Sequence, residues 1–228
     1  MNELSKNTRY IYKQMIYVHN LNNCAGLERG LQKEDQLTLK LLNTVEEKSD
    51  ISQRHLASEL GIALGLTNSY LNRCARRGLI RIRGKSPRRY LYFLTPKGFA
   101  EKAKLSTRYL ANSLEFYRTS ADEFRALFNQ HEQENGIRVI LSGLSDLAEI
   151  AILVGGATIN TEIIAIYDQK DEEATFHQVP VFDDLTRLPE SDLAIVTSLN
   201  NPTENYYHLI EEIPTENVYL PRVLGIKL

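Results

Sequence analysis

From residue 34 onward, apolar side chains recur every three or four positions, the period of a helix buried along one face. In "EDQLTLKLLNTVEEK" they are Leu37, Leu41, Leu42 and Val45, and in "SQRHLASELG" they are Leu56, Ala57 and Leu60. In "ALGLTNSYLNRCARRG" the same role falls to Thr67, Leu71 and Cys74. Asp50 and Ser52 are candidate caps for the second helix, while Gly61 and Gly78 are stops for the second and third. After Gly78 the period falls to two. "LIRIRG" and "RYLYFL" alternate on either side of "KSP", which predicts a two-stranded hairpin. "TPKG" then opens another helix, with Thr95 as cap and Pro96 in its first position.

Residues 97–130 continue as a helix. Leu110, Leu114, Tyr117, Ala121, Phe124 and Phe128 are spaced alternately by four and three, a heptad seam that suits either a partner helix or the protein's own core. Ahead of all this, "NTRYIYKQMIYVHNL" at 7–21 reads as a helix before the turn "NNCAGLERG". Beyond the polar stretch "HEQENG" at 131–136 the pattern changes again. Short apolar runs, expected as strands near 137–141, 162–167, 193–197 and 217–220 with an extended piece near 178–182, alternate with the helical "SDLAEIAILVGG" and "PTENYYHLIEEI". Strands alternating with helices predict a parallel sheet covered on both faces.

Composition narrows the classes. The chain has 228 residues, 43% of them hydrophobic, enough for a packed core. It contains no apolar run near the roughly 18–20 residues a membrane span requires, and it opens on a polar N-terminus, so a cytoplasmic protein without a membrane partner is expected. Cys24 and Cys74 lack metal-site spacing and are too few for a disulfide framework. Charge is divided unevenly. Residues 1–130 hold 22 Lys+Arg against 12 Asp+Glu, and residues 131–228 hold 5 against 17. A cationic surface attracts phosphate backbones and an acidic one repels them, so only the first half is suited to nucleic acid.

Within that basic half, two helices joined by the short "GIA" make a helix-turn-helix. With Thr67, Leu71 and Cys74 inward, Leu66, Asn68, Ser69, Asn72 and Arg73 face outward at the start of the second helix, where side chains reach base edges in a major groove. The hairpin carries Arg81, Arg83, Lys85, Arg88 and Arg89, cations that grip phosphates or enter a minor groove. Arg54, Arg76 and Arg77 extend this surface.

The ordered set "ISQRHLASELGI", "LTNSYLNRCARRGLI", basic hairpin and "YFLTPKG" resembles the winged helix-turn-helix of bacterial MarR-type transcriptional regulators over residues 34–105. The resemblance implies that the helix from Leu64 to Arg77 enters the major groove of double-stranded DNA, that the 80–94 hairpin is a wing, and that the protein is a homodimer on a pseudo-palindromic site. Cys74 stands where a larger aliphatic residue is common in that family.

The acidic half resembles a small Rossmann-like domain. "RVILSGLSDLAEIA" is similar to the opening strand, glycine turn and helix of that fold, and later segments look like sugar-modifying oxidoreductases and PglD-type sugar acyltransferases, which points to polysaccharide genes as the regulated set. In the glycine fingerprint the three positions serve the turn, the approach to pyrophosphate and helix packing. Gly143 fits the first and Ala148 the third, but Ser145 replaces the second and Asp146 puts negative charge at the helix start. The candidate ligand residues are Gly143, Leu144, Ser145, Asp168, Thr197 and Ser198. Three occupants stay open: NAD(H), another small effector such as a nucleotide or sugar nucleotide, or none, the domain then being structural or protein-binding. The cofactor is unknown.

The expected architecture is two-domain α/β: an N-terminal helical segment (1–33), a winged helix-turn-helix (34–105), a connector or dimerisation helix (106–135) and a Rossmann-like domain (136–228). The expected function is a sequence-specific DNA-binding transcriptional regulator whose second domain senses a ligand or mediates assembly. The alternatives are an NAD(H)-responsive repressor, and an enzyme or scaffold with a targeting winged helix. No catalytic set, P-loop or metal spacing is visible, and His177 and His208 are isolated, so no enzyme is expected.

Overall fold

The structure is a computed structural model that describes residues 33–86, 89–130, 136–169 and 175–226. The helix expected at 7–21, and the side chains of Lys85, Arg88 and Arg89, lie outside what is described. The described residues fall into two compact units, and the chain passes from one to the other between Ser113 and Leu114.

The first unit holds helices α1 (Lys33–Glu47), α2 (Gln53–Leu60) and α3 (Leu64–Arg76), the hairpin β1 (Ile80–Ser86) and β2 (Arg89–Leu94), and the start of α4 (Pro96–Gln130). Ser52, not Asp50, caps α2, its side chain accepting from the His55 amide at 3.1 Å. Gly61 ends that helix at φ 65°, a left-handed conformation glycine adopts without a Cβ penalty. The apolar faces of α1, α2 and α3 meet as their spacing predicts. Leu41, Leu42, Val45, Leu56, Leu60, Leu71 and Cys74 form one buried cluster, closed by Ile51, Tyr70, Leu79, Ile80 and Tyr92. Cys74 is buried, so its thiol is pushed above the ordinary value by desolvation.

β1 and β2 pair antiparallel with Ile80 opposite Leu94 and Ile82 opposite Tyr92, so these residues turn inward together. Thr95 fastens the hairpin to α4. Its hydroxyl donates to the Gly78 carbonyl at 2.6 Å and accepts from the Gly98 amide at 3.0 Å. Gly98 comes so close to β1 that an added Cβ would stand 2.0 Å from the Leu79 carbonyl oxygen.

The second unit holds the rest of α4, then β3 (Ile137–Ser142), α5 (Asp146–Ala157), β4 (Thr161–Tyr167), β5 (Thr175–Phe176), β6 (Val179–Phe182), β7 (Leu193–Val196), α6 (Pro202–Glu212) and β8 (Val218–Tyr219). The sheet order is β5-β6-β4-β3-β7-β8. β3 pairs parallel with β4 and β7, β4 with β6, and β7 with β8, while the two-residue β5 runs antiparallel to β6 and makes the sheet mixed. The strands expected from sequence are present within a residue or two. β3 is the centre. Val139, Ile140 and Leu141 are all buried, as an apolar run covered on both faces must be.

The heptad seam of α4 divides. Ala121, Phe124 and Phe128 are buried in the sheet's own core, with Phe124 and Phe128 stacked at 6.1 Å, whereas Leu110, Leu114 and Tyr117 are exposed at 59%, 44% and 44%. The regular spacing therefore reports two environments in sequence. Within the second unit Glu123 holds the C-terminal segment. Its carboxylate accepts from the Tyr219 hydroxyl at 2.8 Å and from the amides of Arg222 and Val223 at 2.6 and 3.2 Å.

Candidate nucleic-acid interface

α3 positions most of the expected contact residues. With Thr67, Tyr70, Leu71 and Cys74 turned to the core, Leu66, Asn68, Ser69, Asn72 and Arg76 are left exposed. Tyr70 joins the inward face that spacing assigned to the other three; it lies three residues after Thr67, on the same side of the helix. The Asn72 amide donates to the Asn68 side-chain oxygen at 3.3 Å across one turn.

The arginines behave differently from one another. Arg54 on α2 and Arg76 near the end of α3 are exposed. Arg73, expected to face outward, is half-buried: its guanidinium lies 4.5 Å from the centroid of the Tyr70 ring and bonds to Glu34 of α1. Arg77 bonds to Glu101 of α4 at 2.8 Å. Both pairs are formed within the first unit, so these two cations brace α3 against its neighbours as well as adding charge. On the hairpin, Arg81 and Arg83 are exposed, opposite Phe93 and Leu91, with the Arg83 guanidinium 5.9 Å from the Phe93 ring centroid. Lys85 and Arg89 belong to the backbone of β1 and β2.

The candidate ligand residues of the second unit also come together, but onto each other. Gly143 has φ 107°, and an added Cβ would lie 2.5 Å from the Ser198 Cα, Cβ and N. The Thr197 hydroxyl donates to the Gly143 carbonyl at 2.6 Å, and the Ser145 hydroxyl donates to the Thr197 carbonyl at 2.6 Å. Ser145 also caps α5, accepting from the amides of Leu147 and Ala148 at 3.1 and 3.3 Å. The Leu144 amide donates to the Asp168 carboxylate at 2.8 Å. The loop after β3 is joined to the loop after β7, and its turn amide faces a carboxylate. Burial, then the neighbouring Glu149, holds the Asp146 carboxyl above its usual range at the same helix start. A dinucleotide, which needs bare glycine at Ser145 and helix amides for its phosphates, does not fit these residues. Among the described residues no group of three or more His, Cys, Asp or Glu stands ready to hold a metal, and no helix is long and apolar enough to cross a membrane.

Residues 34–81 match a sequence family described as winged helix-turn-helix DNA-binding. With the exposed polar face of α3 and the cationic hairpin beside it, this marks residues 34–81 as a DNA-binding winged helix-turn-helix. Solved structures of three regulators are similar to the chain in part. The PcaV transcriptional regulator from Streptomyces coelicolor is 20% identical with a TM-score of 0.38, over 54% of this chain and 90% of that one. The Mycobacterium tuberculosis MarR family protein Rv2887, solved in complex with salicylic acid, is 18% identical with a TM-score of 0.34, over 46% and 78%. MepR, a transcription regulator of the Staphylococcus aureus multidrug efflux pump MepA, is 16% identical with a TM-score of 0.31, over 55% and 85%. No curated protein matches the sequence.

Proposed function

We propose that this protein regulates transcription by binding a specific double-stranded site as a homodimer, with α3 in the major groove and the β1–β2 hairpin as a wing. The observation that carries this reading is the division of α3 and the hairpin into an apolar inner face and an outer face of amides, hydroxyls and arginines. Arg54, Arg76, Arg81 and Arg83 are the described cations on the outer face, and Lys85, Arg88 and Arg89 continue the charge along the sequence of the hairpin.

For the second unit we propose a Rossmann-like fold used for assembly. Its parallel strands run β6-β4-β3-β7-β8, and chain order reverses at β3, the order 3-2-1-4-5 of doubly wound folds. Such folds bind ligands beyond the strand ends at that reversal, where Gly143 and Ser198 here abut. That close approach favours assembly over ligand sensing.

The test is a series of duplex-binding measurements in rising salt, with wild type and with Arg83→Ala and Arg88→Ala. For each phosphate that a variant no longer neutralises, the plot of log affinity against log salt becomes shallower by about 0.9, and affinity falls on every sequence alike. A folded protein that ignores duplex DNA in dilute buffer would overturn the reading. An unchanged slope would remove the wing.

A further inference from the structure

The outward face of α3 also restricts which bases it can read; this step rests on the assignment of α3 to the groove. Guanine presents two acceptors, O6 and N7, and is read best by the paired N–H groups of Arg or Lys. Adenine presents one donor and one acceptor and is read by the amide of Asn or Gln, while thymine adds a methyl group suited to an apolar contact. The first nine residues of α3 expose Leu64, Gly65, Leu66, Asn68, Ser69 and Asn72, and no cation. The nearest arginine, Arg73, is held over Tyr70 and bonded to Glu34. Arg77 is bonded to Glu101, and Arg76 stands in the last turn.

The amides are arranged as well as exposed. The bond from Asn72 to Asn68 uses one hydrogen of the first and one lone pair of the second. Each amide is left with both a donor and an acceptor for a base edge, and the bond links the two across one turn. Gly65 supplies a second, independent observation. Glycine is a poorer helix former than alanine because it gives up more backbone freedom. A Cβ at Gly65 would meet nothing within 4 Å, and its φ is outside the left-handed range. Nothing in the described fold therefore requires glycine there, and it sits on the exposed face beside Ser69 and Asn72. A missing side chain at that place lets the helix approach a surface closely.

We infer that the start of α3 reads A·T base pairs in each half-site, with Asn68 and Asn72 on adenine and Leu66 on a thymine methyl, and that Gly65 is bare so the helix can seat at that depth. The experiment is selection of bound duplexes by the full chain from a pool with randomised positions, repeated with Asn72→Ala and Gly65→Ala, each checked for its melting temperature. Wild type enriches A·T pairs at two or more adjacent positions per half-site. Asn72→Ala relaxes the choice at one of them and loses roughly ten-fold in affinity for the wild-type site. Gly65→Ala melts no lower than wild type yet binds that site more weakly. Enrichment of G·C pairs at those positions, or the same logo from Asn72→Ala, overturns the inference while leaving DNA binding intact. Undiminished affinity in Gly65→Ala removes the seating argument. Failure to enrich any duplex defeats the regulator reading itself and this inference with it.

Discussion

At the scale of single residues, Tyr219 gives the fold a dependence on alkali. Burial, then its hydrogen bond to Glu123 and that carboxylate's charge, pushes its phenol up to about 12 from the ordinary 10.0. Below pH 10 the group is neutral whether the chain is folded or not. Between 10 and 12 the unfolded chain loses this proton and the folded chain keeps it, so rising pH favours unfolding. Urea midpoints across pH 8 to 11.5 should fall above pH 10, and Tyr219→Phe should make the fall shallower. A residual slope is expected, because burial also raises Tyr92 and Tyr167. Wild type and Tyr219→Phe falling in parallel would show that Tyr219 is not the source.

At the scale of elements, periodicity located nearly every described helix and strand, because each hides one face or both. Ser52, Gly61, Thr95 and Pro96 mark helix ends through local chemistry, and local chemistry is legible without knowing what lies across the fold. What spacing could not show was the identity of each neighbour. Arg73 and Asn72 are adjacent, yet Glu34, 39 residues away along the chain, draws the arginine aside and leaves the amide outward. The fingerprint at Gly143 was likewise readable as a pattern, but the approach of Ser198, from a loop 55 positions later, was not. The seam of α4 is the plainest case, since one repeat crosses from an exposed stretch into a core. Phe124→Ala should cost about 3–5 kcal/mol by opening a cavity. Leu110→Ala should stay within about 0.5 kcal/mol in the monomer, as exposed substitutions do. Chemical denaturation of both variants at low protein concentration checks the difference, and equal losses would mean that the two ends of the helix share one environment.

At the scale of the whole molecule, the excess of cations in the first 130 residues and of anions in the rest keeps phosphate chemistry in one half. The second unit repels polyanions by its charge and occupies its own glycine turn, so NAD(H) should find no site. Titration with NADH at up to millimolar concentration should leave nicotinamide fluorescence and the protein's melting temperature unchanged. Saturable enhancement would restore the redox-sensing alternative.

Thr95 has a mechanical meaning. One hydroxyl touches Gly78, two residues past the end of α3, and the first turn of α4 together, and the absent side chain of Gly98 lets the backbones at Leu79 and in α4 abut without padding. A change at either Thr95 or Gly98 therefore reaches both helices at once, since the chain that follows α3 sets the place of the first turn of α4.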